Sequence, residues 1–193
     1  VDFRAAFHQG VMKLAIINYR AGNIRSVAFA LERLGLSPEL TDEPAKIRRA
    51  DKLIFPGVGE ASSAMAALEA SHLADVLREC QQPLLGICLG MQLLCAHSEE
   101  GPAEGLGHFA ARVRHFPPSA GKVPHMGWNS IHDLRGPLFE GVAEGSYVYF
   151  VHSYYVPPSA ETCATCTYGL PFSAALQRGN IFATQFHPEK SGA

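Results

Sequence analysis

Apolar residues recur along this chain in two patterns, one typical of strands and one typical of helices. In the first half of the chain, a strand pattern is followed by a helix pattern three times. Short apolar runs are typical of buried strands, whereas apolar residues at i, i+3, i+4 and i+7 are typical of helices. Strands are predicted over 13–18, 53–55 and 84–87, and helices over 24–34, over 61–78 and from Leu89 onward. Strands that alternate with helices indicate a parallel sheet with right-handed crossovers.

After residue 105 the pattern changes to short strands separated by turns, with no helix of comparable strength. Strands are predicted over 109–116, 125–131, 147–156, 162–168, 173–177 and 181–186. The predicted fold class is therefore α/β, with an open, mostly parallel sheet flanked by helices and an antiparallel β extension. No linker, repeat or low-complexity stretch divides the chain, so we predict a single domain over 12–193. Residues 1–11 lack the pattern of a signal peptide and are predicted to be an extension outside the fold.

Composition and charge exclude several classes of function. The chain has 193 residues, is 47% hydrophobic and 18% charged, and carries a net charge of −2. These values are typical of a soluble globular protein, and they argue against a nucleic-acid or membrane surface as the main partner. No apolar run is long enough to span a bilayer. The five cysteines fit a reducing compartment better than a disulfide framework, so a cytoplasmic location is predicted.

Two of the cysteines, Cys163 and Cys166, form a C-x-x-C pair. A zinc site would need a second pair or histidine partners at a suitable spacing, and none follows. The residues around the pair favour a strand, so a structural role is the simpler interpretation. We predict neither a metal nor a cofactor.

Another cysteine stands where the third strand becomes a helix, in the segment Gly86-Ile87-Cys88-Leu89-Gly90-Met91-Gln92. Glycines on both sides allow a tight turn that pushes the cysteine side chain outward, as in a nucleophile elbow. A helix N-terminus beside the thiol favours its thiolate form. A lone cysteine is more often a small buried hydrophobe, so a catalytic interpretation needs a base.

Ligand sites in open α/β sheets lie at the carboxyl ends of the parallel strands. Three glycine-bearing loops are predicted at that edge, namely 19–23, 56–59 and the turn at Cys88. Glycine lets backbone N–H groups approach a ligand closely. Three such loops at one edge indicate a pocket.

His187 is the strongest candidate for a base among the nine histidines, because the predicted strand 181–186 delivers it to the same edge. Residues two apart in an extended chain face one side, and Pro188 favours an extended residue before it. Glu189 is therefore expected to orient His187. Cys88, His187 and Glu189 would then form a catalytic triad.

The segments 86–92 and 185–191 together resemble the motifs of the triad (class I) glutamine amidotransferases. A finer resemblance, to the glutaminase subunits of imidazole glycerol phosphate synthases, rests on residues 18–26, 56–59, 123–129 and 149–154. The resemblance runs from Met12 to about Ser191, which is nearly the whole chain.

The resemblance implies a role for each matching residue. It makes Cys88 the nucleophile, His187 the general acid and base, and Glu189 the acid that orients His187. Backbone N–H groups of an oxyanion hole are implied at Gly57, Val58, Gly59 and Leu89. Binding of the substrate glutamine is implied for Gln92, Glu100 and the backbone around His152, Ser153 and Tyr154. A partner interface or signalling role is implied for Asn23, Trp128, Tyr149 and Lys190.

The implied reaction is hydrolysis of glutamine to glutamate and ammonia through a thioester on Cys88. The implied partner is a (β/α)₈-barrel cyclase, bound as a heterodimer, which uses the ammonia to make imidazole glycerol phosphate and an aminoimidazole carboxamide ribotide in histidine biosynthesis. The family also implies a final helix packed on the sheet, which a chain ending at Ala193 would lack.

Three alternatives remain open from the residues alone. The chain could serve another synthase, such as one for pyridoxal phosphate or anthranilate. It could be a non-catalytic member of the same fold with an oxidisable cysteine, which would need no proton shuttle at His187 and Glu189. It could also be a cysteine peptidase, since catalytic triads arise by convergence.

Overall fold

The structure is a computed structural model that describes residues 12–19 and 24–192. The extension predicted over 1–11, most of the predicted loop 19–23 including Asn23, and the last residue, Ala193, lie outside the described residues. The single-domain prediction for 12–193 stays a prediction.

The first half of the chain alternates strands with helices, as its apolar periods predict. In order, these elements are β1 (Leu14–Ile17), α1 (Ile24–Arg33), β2 (Glu39–Thr41), α2 (Pro44–Arg49), β3 (Lys52–Gly57), α3 (Ala61–Ala70), α4 (Leu73–Arg78), β4 (Leu84–Cys88) and α5 (Leu89–Leu94).

The second half consists of strands and short 3₁₀ turns. The strands are β5 (Cys95–Ser98), β6 (Ala103–Glu104), β7 (Phe109–His115), β8 (His125–Ser130), β9 (Tyr147–His152), β10 (Tyr154–Tyr155), β11 (Thr162–Tyr168), β12 (Leu170–Arg178) and β13 (Ile181–Thr184). The 3₁₀ turns are Pro118–Ala120, Pro137–Phe139 and Pro188–Lys190.

The main sheet has seven strands in the order β11-β12-β13-β4-β3-β1-β2. The five strands from β13 to β2 are parallel, and β12 and β11 extend the sheet in antiparallel fashion. This arrangement confirms the predicted fold class. A four-stranded sheet, β10-β7-β5-β6, and the hairpin β8-β9 complete the structure.

The central parallel strands β1, β3 and β4 are apolar because helices pack against both faces of the sheet there. All four residues of β1 are buried, as are five of the six in β3. Burial of these aliphatic and aromatic side chains is the main favourable contribution to folding. The central strands thus form a rigid base for the loops at their carboxyl ends.

The structure corrects several predicted boundaries. The helix predicted over 61–78 is two helices, because His72 adopts a left-handed conformation with φ of 57° and interrupts it. The strand predicted over 147–156 is also two strands, β9 and β10, separated at Ser153. The helix predicted from Leu89 ends at Leu94, and Cys95 begins the unpredicted strand β5.

Four elements of at most six residues went unpredicted: β2, α2, β5 and β6. β2, for example, has three residues, and only Thr41 is buried. Within the described part of the chain, no helix is long and apolar enough to cross a membrane.

Candidate active site

Three adjacent parallel strands bring the predicted site residues together at one edge of the sheet. Gly57, the last residue of β3, pairs directly with Cys88, the last residue of β4. On the other side of β4, β13 pairs in parallel and leads to His187 three residues after it ends. Residues distant in sequence therefore meet at the carboxyl edge, where open α/β sheets place their ligand sites.

Cys88 forms the strand-to-helix turn that its flanking glycines predict. Its φ of 54° and ψ of −108° are unusual for a residue with a side chain, and strain of this kind is concentrated at functional sites. Gly90 is required by close approach, because a Cβ there would overlap the backbone carbonyl of Phe55. The thiol is buried at 7% exposure, and its sulfur lies 4.0 Å from the Val151 carbonyl oxygen.

His187 and Glu189 form a buried pair, as their spacing predicts. The imidazole Nδ1 lies 2.8 Å from Oε1 of Glu189, and both side chains are only 2% exposed. This bond fixes the ring so that Nε2 is left for the nucleophile. Nε2 has no hydrogen-bond partner among the described residues. The charge of the His187 ring nevertheless interacts with Cys88.

The charges of this pair stabilise each other. Burial opposes the charged imidazolium, but the interactions with the Cys88 thiolate and the Glu189 carboxylate outweigh it and raise the pKa of His187 to about 9. Burial likewise opposes the Glu189 carboxylate, but the interaction with His187 outweighs it and lowers the pKa of Glu189. The geometry thus favours a charged His187 imidazolium that is paired with the Glu189 carboxylate and lies beside the Cys88 sulfur.

The segment that carries the pair is fixed to β9 by two hydrogen bonds, and a third holds the segment itself together. The His187 backbone N–H donates to the Tyr149 carbonyl (2.9 Å), and the Tyr149 N–H donates to Oγ of Ser191 (3.1 Å). The Ser191 hydroxyl in turn donates to the His187 carbonyl (2.6 Å). The position of the base therefore depends on the β8–β9 hairpin as well as on β13.

The predicted oxyanion loop follows β3 beside the nucleophile. Val58, Gly59 and Leu89 line the cavity in front of Cys88, whereas Gly57 is buried behind it. A Cβ at Gly57 would overlap the hydroxyl of Tyr19. That hydroxyl is buried and has no hydrogen-bond partner within the described residues, and burial, followed by the nearby Cys88 charge, raises its pKa.

A cavity of about 420 Å³ opens in front of Cys88 and His187. All the predicted substrate-binding residues line it, namely Gln92, Glu100, His152, Ser153 and Tyr154. The Gln92 amide donates to the Tyr154 carbonyl (3.2 Å) and to Oε1 of Gln185 (3.0 Å), so its own oxygen remains to accept a hydrogen bond. Burial raises the pKa of Glu100, whose Oε2 accepts the Ala61 N–H at 2.9 Å.

Three of the four predicted interface residues lie close together beside the base. Trp128 is 52% exposed, and its ring packs edge-on against Tyr149 with centroids 6.0 Å apart. The Lys190 ammonium lies 5.7 Å from the centre of the Tyr149 ring. Asn23 is outside the described residues.

Sequence reasoning missed two buried residues that take part in the site. The amide nitrogen of Gln185 lies 3.8 Å from the Cys88 sulfur, although its sequence pattern indicates only a strand. Nδ1 of His125 lies 3.0 Å from Nε2 of His152, although no acidic residue close to His125 in sequence indicates a role for it. Its pairing with another histidine across a hairpin leaves no signal in the local sequence.

The remaining cysteines have no comparable environment. All five cysteines are free, and Cys163 and Cys166 lie in β11, as predicted. Burial raises the pKa of Cys166 to about 12, and that of Cys163 and Cys80 to about 11 each. In the described part of the chain, no three His, Cys, Asp or Glu side chains are placed to hold a metal ion.

Comparison with known proteins agrees with this geometry. Residues 15–193 match the family described as glutamine amidotransferase class-I. Curated relatives named imidazole glycerol phosphate synthase subunit HisH are 54% identical in Bacteroides fragilis and 52% in Bacteroides thetaiotaomicron, each over 94% of this chain and 93% of the relative. The relative of that name in Pasteurella multocida is 49% identical over 94% of this chain and 92% of its own length.

Solved structures support the fold. A crystal structure titled glutamine amidotransferase has a TM-score of 0.72 and 23% identity, and covers 93% of this chain and 91% of its own. The crystal structure of a glutamine amidotransferase from Thermotoga maritima gives a TM-score of 0.66, with 17% identity and coverage of 94% and 77%. The chain therefore belongs to the class I glutamine amidotransferase family and, within it, to the group of imidazole glycerol phosphate synthase subunits HisH.

Proposed function

We propose that this chain is the glutaminase subunit of an imidazole glycerol phosphate synthase and hydrolyses glutamine through a thioester on Cys88. The single observation that carries the chemistry is the buried His187–Glu189 pair, 2.8 Å apart, beside a strained cysteine turn. The assignment to this particular synthase rests on the name that the relatives share.

In the first half of the reaction, His187 holds the proton of the Cys88 thiol, and the resulting thiolate attacks the carboxamide carbon of glutamine. His187, already an imidazolium at neutral pH, gives its proton to the departing nitrogen, and ammonia leaves. The product is a glutamyl thioester on Cys88. Glu189 holds the ring in the orientation needed for that transfer and stabilises its charge.

In the second half, the neutral His187 removes a proton from water, which attacks the thioester carbon and releases glutamate and the thiolate. Both steps pass through a tetrahedral oxyanion. Backbone N–H groups of the 57–59 loop and of Leu89 are proposed to bind it, and the loss of one such donor typically costs about 10²–10³ in rate.

We assign substrate recognition to the residues that line the cavity. The oxygen of Gln92 is an acceptor and Glu100 is an acid, so both suit the donors of an α-ammonium group. The backbone around Ser153 is proposed to receive the α-carboxylate. Burial raises the pKa of Glu100, and a bound ammonium would favour its ionised form.

We further propose that ammonia passes to a (β/α)₈-barrel cyclase bound as a heterodimer. The proposed docking surface includes Trp128, Tyr149 and Lys190, with Asn23 as a further member. It adjoins the base directly, because the Tyr149 carbonyl accepts the His187 N–H. An exposed aromatic residue beside a basic side chain is typical of an interface anchor. The five free cysteines suit a cytoplasmic complex.

The test is glutamine hydrolysis by the purified chain, with and without a cyclase barrel and its nucleotide ligand. We expect low activity alone, strong stimulation in the complex, and no activity for Cys88→Ala. Cys80→Ala is the matched control, since Cys80 is a half-buried thiol outside the cavity, and it should keep wild-type activity.

Two results would overturn the proposal separately. Equal activity with and without the barrel would refute regulation by the partner. Retained hydrolysis in Cys88→Ala would refute the thioester mechanism.

A further inference from the structure

A line of hydrogen bonds runs along one wall of the cavity, and none of the proposed bond-making or proton-transfer steps uses it. It starts at Asn129 on β8, passes through His125 and His152, and ends at the backbone carbonyl of Tyr154. The two histidines are 3% and 5% exposed and face each other across the β8–β9 ladder. We refer to Asn129, His125 and His152 as the histidine relay.

The contacts of Asn129 determine which atoms donate and which accept at its end of the histidine relay. Oδ1 of Asn129 accepts the Ser130 N–H at 2.9 Å, and its Nδ2 donates to the Thr167 carbonyl at 3.0 Å. A flipped amide would lose both bonds, so the NH₂ group is the one that faces Nε2 of His125, at 3.4 Å. Nε2 of His125 is therefore an acceptor.

The donors and acceptors are determined independently at the other end. Nδ1 of His152 lies 2.7 Å from the Tyr154 carbonyl, which can only accept, so this nitrogen carries a proton. Nε2 of a neutral His152 is then an acceptor, and the proton between the rings belongs to Nδ1 of His125, 3.0 Å away. Both ends demand the same tautomer, with the proton on Nδ1 in each ring.

The surroundings keep both rings neutral and fixed. Burial lowers the pKa of His125 to about 4 and that of His152 to about 3. The His125 ring is stacked between Tyr168 and Phe150, with centroid distances of 4.1 and 4.9 Å. Neutral, packed imidazoles make a rigid support rather than a proton shuttle.

The carbonyl at the end of the relay lies in the proposed substrate pocket. It accepts a second bond, from Nε2 of Gln92 at 3.2 Å, which uses both of its acceptor positions. The same Gln92 amide also bonds to Gln185, whose Nε2 lies 3.8 Å from the Cys88 sulfur. The relay therefore supports the strand segment 151–154, the Gln92 side chain and the surroundings of the nucleophile together.

We propose that His152, oriented by His125, is a positioning residue for glutamine binding, which holds the Tyr154 carbonyl and with it the substrate-facing segment 151–154 and Gln92. The inference rests on the proposed glutaminase function and deepens it. Loss of one such hydrogen bond should weaken binding of the substrate more than it slows the chemistry, because the relay contacts no reacting atom.

The kinetic test compares two substitutions of nearly equal size in the complex with the cyclase barrel. His152→Asn keeps a donor at the position of Nδ1, whereas His152→Leu removes it. We expect Leu to raise the KM for glutamine about tenfold with a smaller change in kcat, and Asn to restore KM to within about threefold of wild type. His97→Leu, at an exposed histidine on β5, should leave both constants unchanged.

The spectroscopic test needs no activity and no substitution. In the ¹⁵N-labelled full chain at neutral pH, both histidines should give ring nitrogen shifts of the neutral form protonated at Nδ1, which is the minor tautomer of a free histidine side chain. A cationic ring, or protonation at Nε2 of His152, would overturn the relay even if the Leu variant failed to fold.

The outcomes separate this inference from the function on which it rests. An inactive wild-type complex would refute the proposed function and leave the tautomer measurement to decide the relay. An active wild type with equal KM values for the Asn and Leu variants would refute the positioning role alone.

Discussion

At the scale of single residues, Cys88 and Glu189 determine the charge of His187. His187 carries a pKa raised to about 9 although burial alone would lower it. Because this exceeds the ordinary value of 6.5, the stability that the imidazolium supplies is fully present below about pH 6.5 and is lost as the pH rises through about 9.

Cys88→Ala should therefore lower the pKa of His187, because the interaction of the imidazolium with the Cys88 sulfur is lost. The pH at which this stabilisation fades should move down with it. NMR titration of the His187 ring in the two proteins measures the shift, and urea unfolding across the same pH range measures the stability. An unchanged His187 pKa in the alanine variant would show that the thiolate does not contribute.

The loop residue Gly57 and the buried hydroxyl of Tyr19 offer a second prediction at this scale. A methyl group at Gly57 would overlap that hydroxyl and lie 3.0 Å from Cβ of Leu89. Gly57→Ala should therefore displace the proposed oxyanion loop and reduce kcat/KM for glutamine by as much as about a hundredfold.

Tyr19→Phe removes a buried hydroxyl without a partner in the described part of the chain. Its free energy of unfolding should be unchanged or up to about 1–2 kcal/mol higher. The double variant should recover part of the activity that Gly57→Ala loses, because the methyl group then has more room. Strictly additive losses would contradict this contact.

The close placement of Cys88, His187 and Glu189 was predictable because each of these residues leaves a local signal. Glycines mark the turn at Cys88, and a strand followed by His-Pro-Glu marks the base. Gln185 and His125 left no such signal, because their partners, Cys88 and His152, are distant in sequence and meet them only in the folded chain. The sequence pattern does not show that Trp128 is exposed, and its role at a partner interface stays a prediction.

At the scale of elements, the site depends on how closely α5 approaches β3. Gly90 is the second residue of α5, and a Cβ there would overlap the Phe55 carbonyl in the middle of β3. Gly90→Ala should destabilise the protein by about 1–3 kcal/mol or more, because backbone cannot move aside as a side-chain end can. Chemical denaturation measures the loss, and a stability within about 0.5 kcal/mol of wild type would contradict this packing.

The major strands and helices could be predicted from the spacing of apolar residues alone. The central parallel strands are buried on both faces, and helices α1 and α3 are long enough to show a repeat of 3.6 residues per turn. Short elements could not be predicted in this way. β2 pairs with β1 through its backbone while two of its three side chains are exposed, so its sequence carries no strand pattern. The break at His72 was missed because nothing in its neighbours demands a left-handed residue.

At the scale of the whole molecule, the proposed partner surface is the exposed face around Trp128. Trp128→Ala should weaken binding to a cyclase barrel at least tenfold, since exposed aromatic anchors dominate interface energies. Leu40→Ala on the edge strand β2 is a matched control, with 49% exposure against 52% for Trp128, and should bind as wild type does. Calorimetric titration distinguishes the two, and equal effects would place the interface elsewhere.

The central claim is that Cys88 carries a glutamyl thioester during hydrolysis. Its most direct test is intact-protein mass spectrometry after the complex is mixed with glutamine and quenched in acid. We predict an adduct equal in mass to glutamine less ammonia, located on the peptide that contains Cys88 and absent from Cys88→Ala. Glutamine turnover with no adduct on Cys88 at any quench time, or an adduct that persists in Cys88→Ala, would contradict the account.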